Sequence, residues 1–190
     1  MSIRSTKIRH QDAGPAVDEV AGTTRPSPKK ENLYVRTGPR AQGLHKAGLD
    51  EVWRGITDGE MTAKYRGPCH PDLGMAEFGT RVESDWTTGA TVEHVARDGN
   101  VVADGKVIAI DAPNRLEMTF HAHWDPELEA EGPVREVYLL EDEKMGLTKL
   151  TVELYDAAPD SKKLADTIDH VPFIISGLKT LLETGTPLVA

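Results

Sequence analysis

A chain of 190 residues with 38% apolar and 28% charged residues is long enough to bury a core and too apolar to remain disordered. Its formal charge of −9 is uneven: residues 1–43 hold eight Lys/Arg and four acids, which leaves −13 on the rest, and a domain of that sign repels nucleic-acid phosphates. No segment has the length of a membrane span or the apolar core of a signal peptide, and the single Cys69 excludes an internal disulfide, so a cytoplasmic protein is expected.

Met1 to Lys30 is rich in Ser, Thr, Pro, Gly and charge without apolar periodicity, which predicts a disordered, solvated leader over 1–30 and one domain over 31–190. Leu33, Tyr34 and Val35 predict a short strand closed by Gly38-Pro39, and a loop with Gly43 and Gly48 is expected next. Leu49, Val52, Trp53 and Ile56 recur at helical spacing and predict a helix over 49–57. Asp58-Gly59 breaks it, and a second short helix runs from Glu60 to about Tyr65. Two prolines and two glycines make 66–76 a loop.

Strands then follow one another. Thr80–Trp86 alternates and ends at Thr88-Gly89; Thr91–Ala96 ends at the hairpin signal Asp98-Gly99; Val101–Asp111 ends at Ala112-Pro113-Asn114. Leu116, Met118, Phe120 and Ala122 alternate with Glu117, Thr119, His121 and His123, so one face is apolar and the other polar. Val134–Leu140 has two partly apolar faces, and Leu150, Val152 and Leu154 mark a half-buried strand. Finally Leu164, Ile168, Val171, Ile175, Leu178 and Leu182 step by three and four, a helical stripe facing the sheet. Pro172 predicts a kink or a helix start, and Gly185 a C-cap.

Helices set apart from an antiparallel sheet define an α+β fold. Hairpin-linked strands curl around one long C-terminal helix, and the space left beside that helix is a pocket. The expected architecture is therefore a helix-grip: six to seven strands around the helix, with two short helices near the N-terminus.

Four stretches carry a family resemblance: Tyr34-Val35-Arg36-Thr37, Asp50–Asp58, Phe78–Trp86 and Gly177–Gly185, with Asp111–Leu116 and Phe120–Pro126 between them. Over Glu31–Leu188 the chain resembles the START-like or SRPBCC superfamily, in the branch named for homology to the heat-shock-protein ATPase activator. The resemblance implies a cavity for hydrophobic or aromatic molecules; members bind such ligands, act as cyclases or support stress responses, and some bind reactive polyketides. Three departures stand out: insertions over Gly38–Gly48 and Gly67–Glu77, and Asp169-His170-Val171-Pro172 where the family has Gly-Gly-Trp-Pro. All three are expected at the pocket mouth.

The residues expected to meet a ligand are Trp86, Met118, Phe120, Glu136, Tyr138, His170 and Phe173. Glu136 shares the alternation of Tyr138 and Leu140; pointing inward, it would orient a ligand or act as a base, and in the other register it faces water. Asp169 reads as the N-cap of the long helix, with His170 either at the surface or reaching the pocket. His121 and His123 share one strand face, but a metal site needs a third ligand, so they are expected in solvent with no metal. Cys69 beside His70 lacks an orienting partner for a catalytic thiol. No cofactor is expected. The partner is a hydrophobic small molecule rather than nucleic acid or membrane, and the chain a monomer or weak homodimer. Carriage or sequestration of a polyketide-like molecule, in natural-product resistance or biosynthesis, leads; a cyclase, dehydratase or hydrolase acting on such a substrate, or a chaperone-ATPase co-regulator, are the alternatives.

Overall fold

The structure, a computed structural model, describes residues 40–66 and 79–188. In chain order these form strand β1 (Arg40–His45), helices α1 (Leu49–Thr57) and α2 (Gly59–Tyr65), strands β2 (Arg81–Glu83), β3 (Thr91–Val95), β4 (Val101–Asp111) and β5 (Arg115–Ala122), helix α3 (Pro126–Ala130), strands β6 (Val134–Lys144) and β7 (Leu147–Tyr155), and helix α4 (Lys162–Thr184). The strands form one antiparallel sheet in the order β1-β7-β6-β5-β4-β3-β2. This sheet is a curved half-barrel around α4, the helix-grip arrangement. No described helix is long and apolar enough to cross a membrane.

The first described strand lies where a loop and an insertion were expected. Residues 40–45 show little apolar alternation, and β1 forms because the edge of β7 offers unpaired backbone groups. Its register runs from Arg40↔Glu153 to His45↔Thr148. Gln42 Nε2 adds a 3.0 Å bond to Thr151 Oγ1. Much of the 38–48 stretch is thus a sheet strand rather than an inserted loop. The expected leader, the Leu33–Val35 strand, Cys69, His70 and the 67–77 insertion lie outside the described residues.

Both short helices sit where spacing and turn residues put them. Asp58 Oδ1 accepts from the Glu60 and Met61 amides at 2.9 and 3.1 Å, capping α2. Helix α1 presses closely on α4: a Cβ added to Gly55 would stand 2.6 Å from Leu178 Cδ1. Strand β2 is shorter than expected: it ends at Glu83, and Trp86, at a left-handed φ of 49°, lies beyond it. Helix α3 was not anticipated; Asp125 caps it and Pro126 occupies its first turn.

Helix α4 starts earlier than Asp169. Ser161 Oγ accepts from the Leu164 amide at 3.0 Å and caps a 23-residue helix, so Asp169 and His170 lie inside it. Asp169 is not an N-cap. Pro172 is also interior and has no N–H to offer the Ile168 carbonyl. Val171, Ile175, Leu178 and Leu181 form the buried stripe, joined in the core by Val52, Ile56, Leu116, Tyr138, Leu140 and Leu150. Ile168 departs from the expected stripe and is 50% exposed. Gly185, at φ 76°, closes the helix through its amide to Leu181 O at 2.8 Å.

Candidate functional site

Between the sheet and α4 lies a cavity of about 110 Å³. Its walls are mostly apolar: Ile56 from α1, Leu150 and Val152 from β7, and Val171, Ile174, Ile175 and Leu178 from α4. An aromatic corner closes one side. Phe120 of β5 meets His94 of β3 edge-on at 5.1 Å between ring centroids, and Trp124 at 5.9 Å.

A buried polar chain stands in this apolar setting. Strand alternation puts Glu136 and Tyr138 on the same inward face of β6. The Tyr138 hydroxyl donates to Glu136 Oε2 at 2.8 Å and accepts from Arg66 Nη2 at 3.2 Å. Glu136 is 7% and Arg66 9% exposed. Burial pushes the Glu136 carboxyl above its ordinary range, against the opposing pull of Arg66, the Tyr138 hydroxyl and Lys163. Burial first, and the Arg66 cation second, hold the His94 imidazole down at about 3, so it is neutral near pH 7. Arg66 keeps its charge at any ordinary pH.

Two polar nitrogens of lining residues are unused. Among the described residues nothing bonds Arg66 Nε or His170 Nε2, although both atoms are buried. The other nitrogen of His170 is held by α4 itself, 2.8 Å from Asp166 O and 3.2 Å from Asp166 Oδ1. Those bonds to Asp166 push His170 above its ordinary range in spite of burial.

A second cavity, of about 300 Å³, lies on the β1 side of α4. It is lined by Arg40, Ala41 and Gln42 of β1 and by Ile168, Pro172 and Ser176 of α4. Glu136, Val152, Thr167, Val171 and Ile175 belong to both linings. Residues 40–42 and Val171 and Pro172, all within regions expected at the pocket mouth, therefore line this second space together.

Four of the seven residues expected to meet a ligand, Phe120, Glu136, Tyr138 and His170, come together around the first cavity. The other three do not line it. Met118 is buried to 2% in the core, opposite Glu136 in the β5–β6 register. Trp86 packs against the core beside α1, its indole Nε1 donating to Thr57 O at 2.9 Å. Phe173 is 45% exposed on α4. Arg66, His94 and Trp124 were not anticipated. His94 shares the inward alternation of Val92, a signal present in the sequence, whereas nothing local marks Arg66 at the end of α2.

The family model for activator of Hsp90 ATPase homolog 1-like proteins matches residues 46–183, and the chain belongs to that family, within the START-like or SRPBCC superfamily. No curated protein matches the sequence. Among solved structures, CalU16 from Micromonospora echinospora superposes with a TM-score of 0.56 at 17% identity, covering 79% of this chain and 76% of that one. DynU16, from the dynemicin biosynthetic locus, gives 0.58 at 22% identity over 78% of this chain, which spans only 48% of DynU16. PFC0360w, an HSP90 activator from Plasmodium falciparum, gives 0.54 at 12% identity, covering 78% and 96%. At these identities the likeness is one of fold.

Proposed function

We propose that this protein binds, and so carries or sequesters, an apolar aromatic molecule of polyketide-like chemistry in the space between the sheet and α4. The observation that carries this reading is the unused polarity of an otherwise apolar cavity. A buried donor without a partner is costly, and a ligand oxygen placed against Arg66 Nε removes that cost. The ligand class is therefore an apolar body bearing a carbonyl, phenolate or carboxylate. Ligand pockets run from roughly 300 to 1,000 Å³, and the two cavities together reach the lower part of that range. The place of DynU16 in the dynemicin biosynthetic locus supports a natural-product ligand, and with it a role in resistance or biosynthesis.

The test is a panel of polycyclic aromatic molecules, with and without an acidic or carbonyl group, read by thermal stabilisation and by amide shifts at Phe120, Tyr138 and His170. Stabilisation by the oxygen-bearing members, weakened in Arg66→Met, is the expected result. A panel that moves neither the melting temperature nor those amides overturns the proposal.

A second reading rests on Glu136. Burial beside a cavity raises the Glu136 carboxyl, the direction that suits a general acid or base in a cyclase or dehydratase. Turnover of a polyketide-like substrate that survives both Glu136→Gln and His170→Gln excludes these groups from such chemistry.

A further inference from the structure

His121 of β5 and His123 just beyond its end are not among the residues that line the cavity. Spacing alone offers two imidazoles; the fold adds a carboxylate from the neighbouring strand. Asp104 of β4 pairs in register with His121, and its Oδ1 lies 3.4 Å from His123 Nε2 and 4.0 Å from His121 Nδ1. One ligand atom from each of the three residues lies within 4.8 Å of the other two.

The second nitrogen of each ring is already engaged. His121 Nε2 is 3.0 Å from the Glu129 carbonyl oxygen, and His123 Nδ1 is 3.3 Å from Glu129 Oε1. Both partners are acceptors only, so a neutral ring that turns its other nitrogen to a metal gives its N–H to Glu129. In that tautomer the lone pairs are on His121 Nδ1 and His123 Nε2, the two nitrogens nearest Asp104. Imidazoles that bind metal ordinarily give their other N–H to a carbonyl or a carboxylate in this way. In the first turns of chain after β5, α3 supplies one of each from a single residue.

We infer that Asp104, His121 and His123 form a binding site for a divalent transition-metal ion, Zn²⁺ in the first instance. Two nitrogens and one carboxylate oxygen suit Zn²⁺, with a fourth position left to water. Tetrahedral bonds of about 2.0–2.1 Å place ligand atoms roughly 3.3 Å apart. The Asp104–His123 spacing of 3.4 Å is close to that value, and the Asp104–His121 spacing of 4.0 Å requires His121 to draw in on binding. All three side chains are a quarter to a half exposed, so the ion has a way in. Bound there, it joins β4 and β5 and, through Glu129, α3, at the corner from which Trp124 reaches the cavity.

The experiment is calorimetric titration of the full chain with Zn²⁺ in a non-chelating buffer, paired with the visible absorption of Co²⁺ as a report on nitrogen and oxygen ligation. One ion bound per chain is expected. Binding should fall strongly in His121→Ala and in His123→Ala, and by about 10–100-fold in Glu129→Ala, which takes the carboxylate partner from His123 Nδ1 and leaves the backbone carbonyl that holds His121. The Cys69→Ser/His70→Ala variant should bind as the native chain does. If the alanine variants lose their fold by circular dichroism, His123→Gln, which keeps comparable bulk, replaces them. Absence of Zn²⁺ binding to the native chain overturns the inference. So does Zn²⁺ binding that survives His121→Ala/His123→Gln, or that is lost only in the Cys69/His70 variant.

Discussion

The Tyr138 hydroxyl donates a hydrogen bond to Glu136 Oε2 at 2.8 Å while accepting one from Arg66 at 3.2 Å, so one phenol links a buried acid to a buried cation. Removing it strands both. Tyr138→Phe should lower stability by roughly 1–3 kcal/mol, the cost of leaving buried polar groups unpaired. Glu136→Gln keeps an oxygen acceptor for the phenol and should cost less. Urea denaturation at pH 7 ranks the two variants.

Acid should unfold this protein through its histidines. His94 is held at about 3 and His45, buried beside Lys179, at about 4, each chiefly by burial. In the unfolded chain both titrate near 6.5. Between the folded and unfolded values the unfolded state binds more protons, so stability falls as pH drops below about 6.5 and continues to fall toward 3–4. A pH series of denaturation midpoints should show this slope, and His94→Gln should flatten it. His170 works in the opposite sense: its raised value contributes stability below about 6.5 that is lost as pH rises through the folded value.

Gly55 is fixed by contact rather than by conformation. An added methyl would sit 2.6 Å from Leu178 Cδ1, and Leu178 is 1% exposed with little room to turn. Gly55→Ala should therefore destabilise by about 1–3 kcal/mol despite the better helix propensity of alanine. Thermal melts of the two chains decide it.

On the face of the sheet away from the cavity, Arg135 Nη1 meets Glu117 Oε1 at 2.5 Å, and the two side chains are 4% and 9% exposed. Arg135 also reaches Asp156 at 3.1 Å and lies 4.5 Å from the Tyr155 ring. Glu117→Leu leaves that cation buried with less compensation, at a cost of up to about 3–5 kcal/mol. Adding Arg135→Met should restore most of the loss. A double-mutant cycle by urea unfolding measures the coupling.

Much of the architecture was written in periodicity. The β5 alternation of Leu116, Met118 and Phe120 and the α4 spacing of Val171, Ile175 and Leu178 each state one buried face. Glu136 and Tyr138 were legible for the same reason. What escaped was decided by pairing across the chain. Residues 40–45 become a strand only because β7 has a free edge, and Asp104 meets His121 only through the β4–β5 register. Ser161, rather than Asp169, starts α4; both are good capping residues, and the choice depends on where the chain leaves β7 and α3. Arg66 enters the cavity from the end of α2, a placement with no local periodicity behind it.

The wall that Val171 and Ile175 help form between the two cavities has a consequence for the shape of any occupant. Both are β-branched residues of a helix, a setting that holds side chains to few rotamers, so the partition is stiff. Under the proposed binding role, a small molecule would fit one compartment, and in the first it would meet Arg66 and His94. A longer one must part Val171 and Ile175 and run past both, and Glu136, which borders both compartments, then touches it amidships. Short and long guests would therefore be read by different polar groups of the same protein.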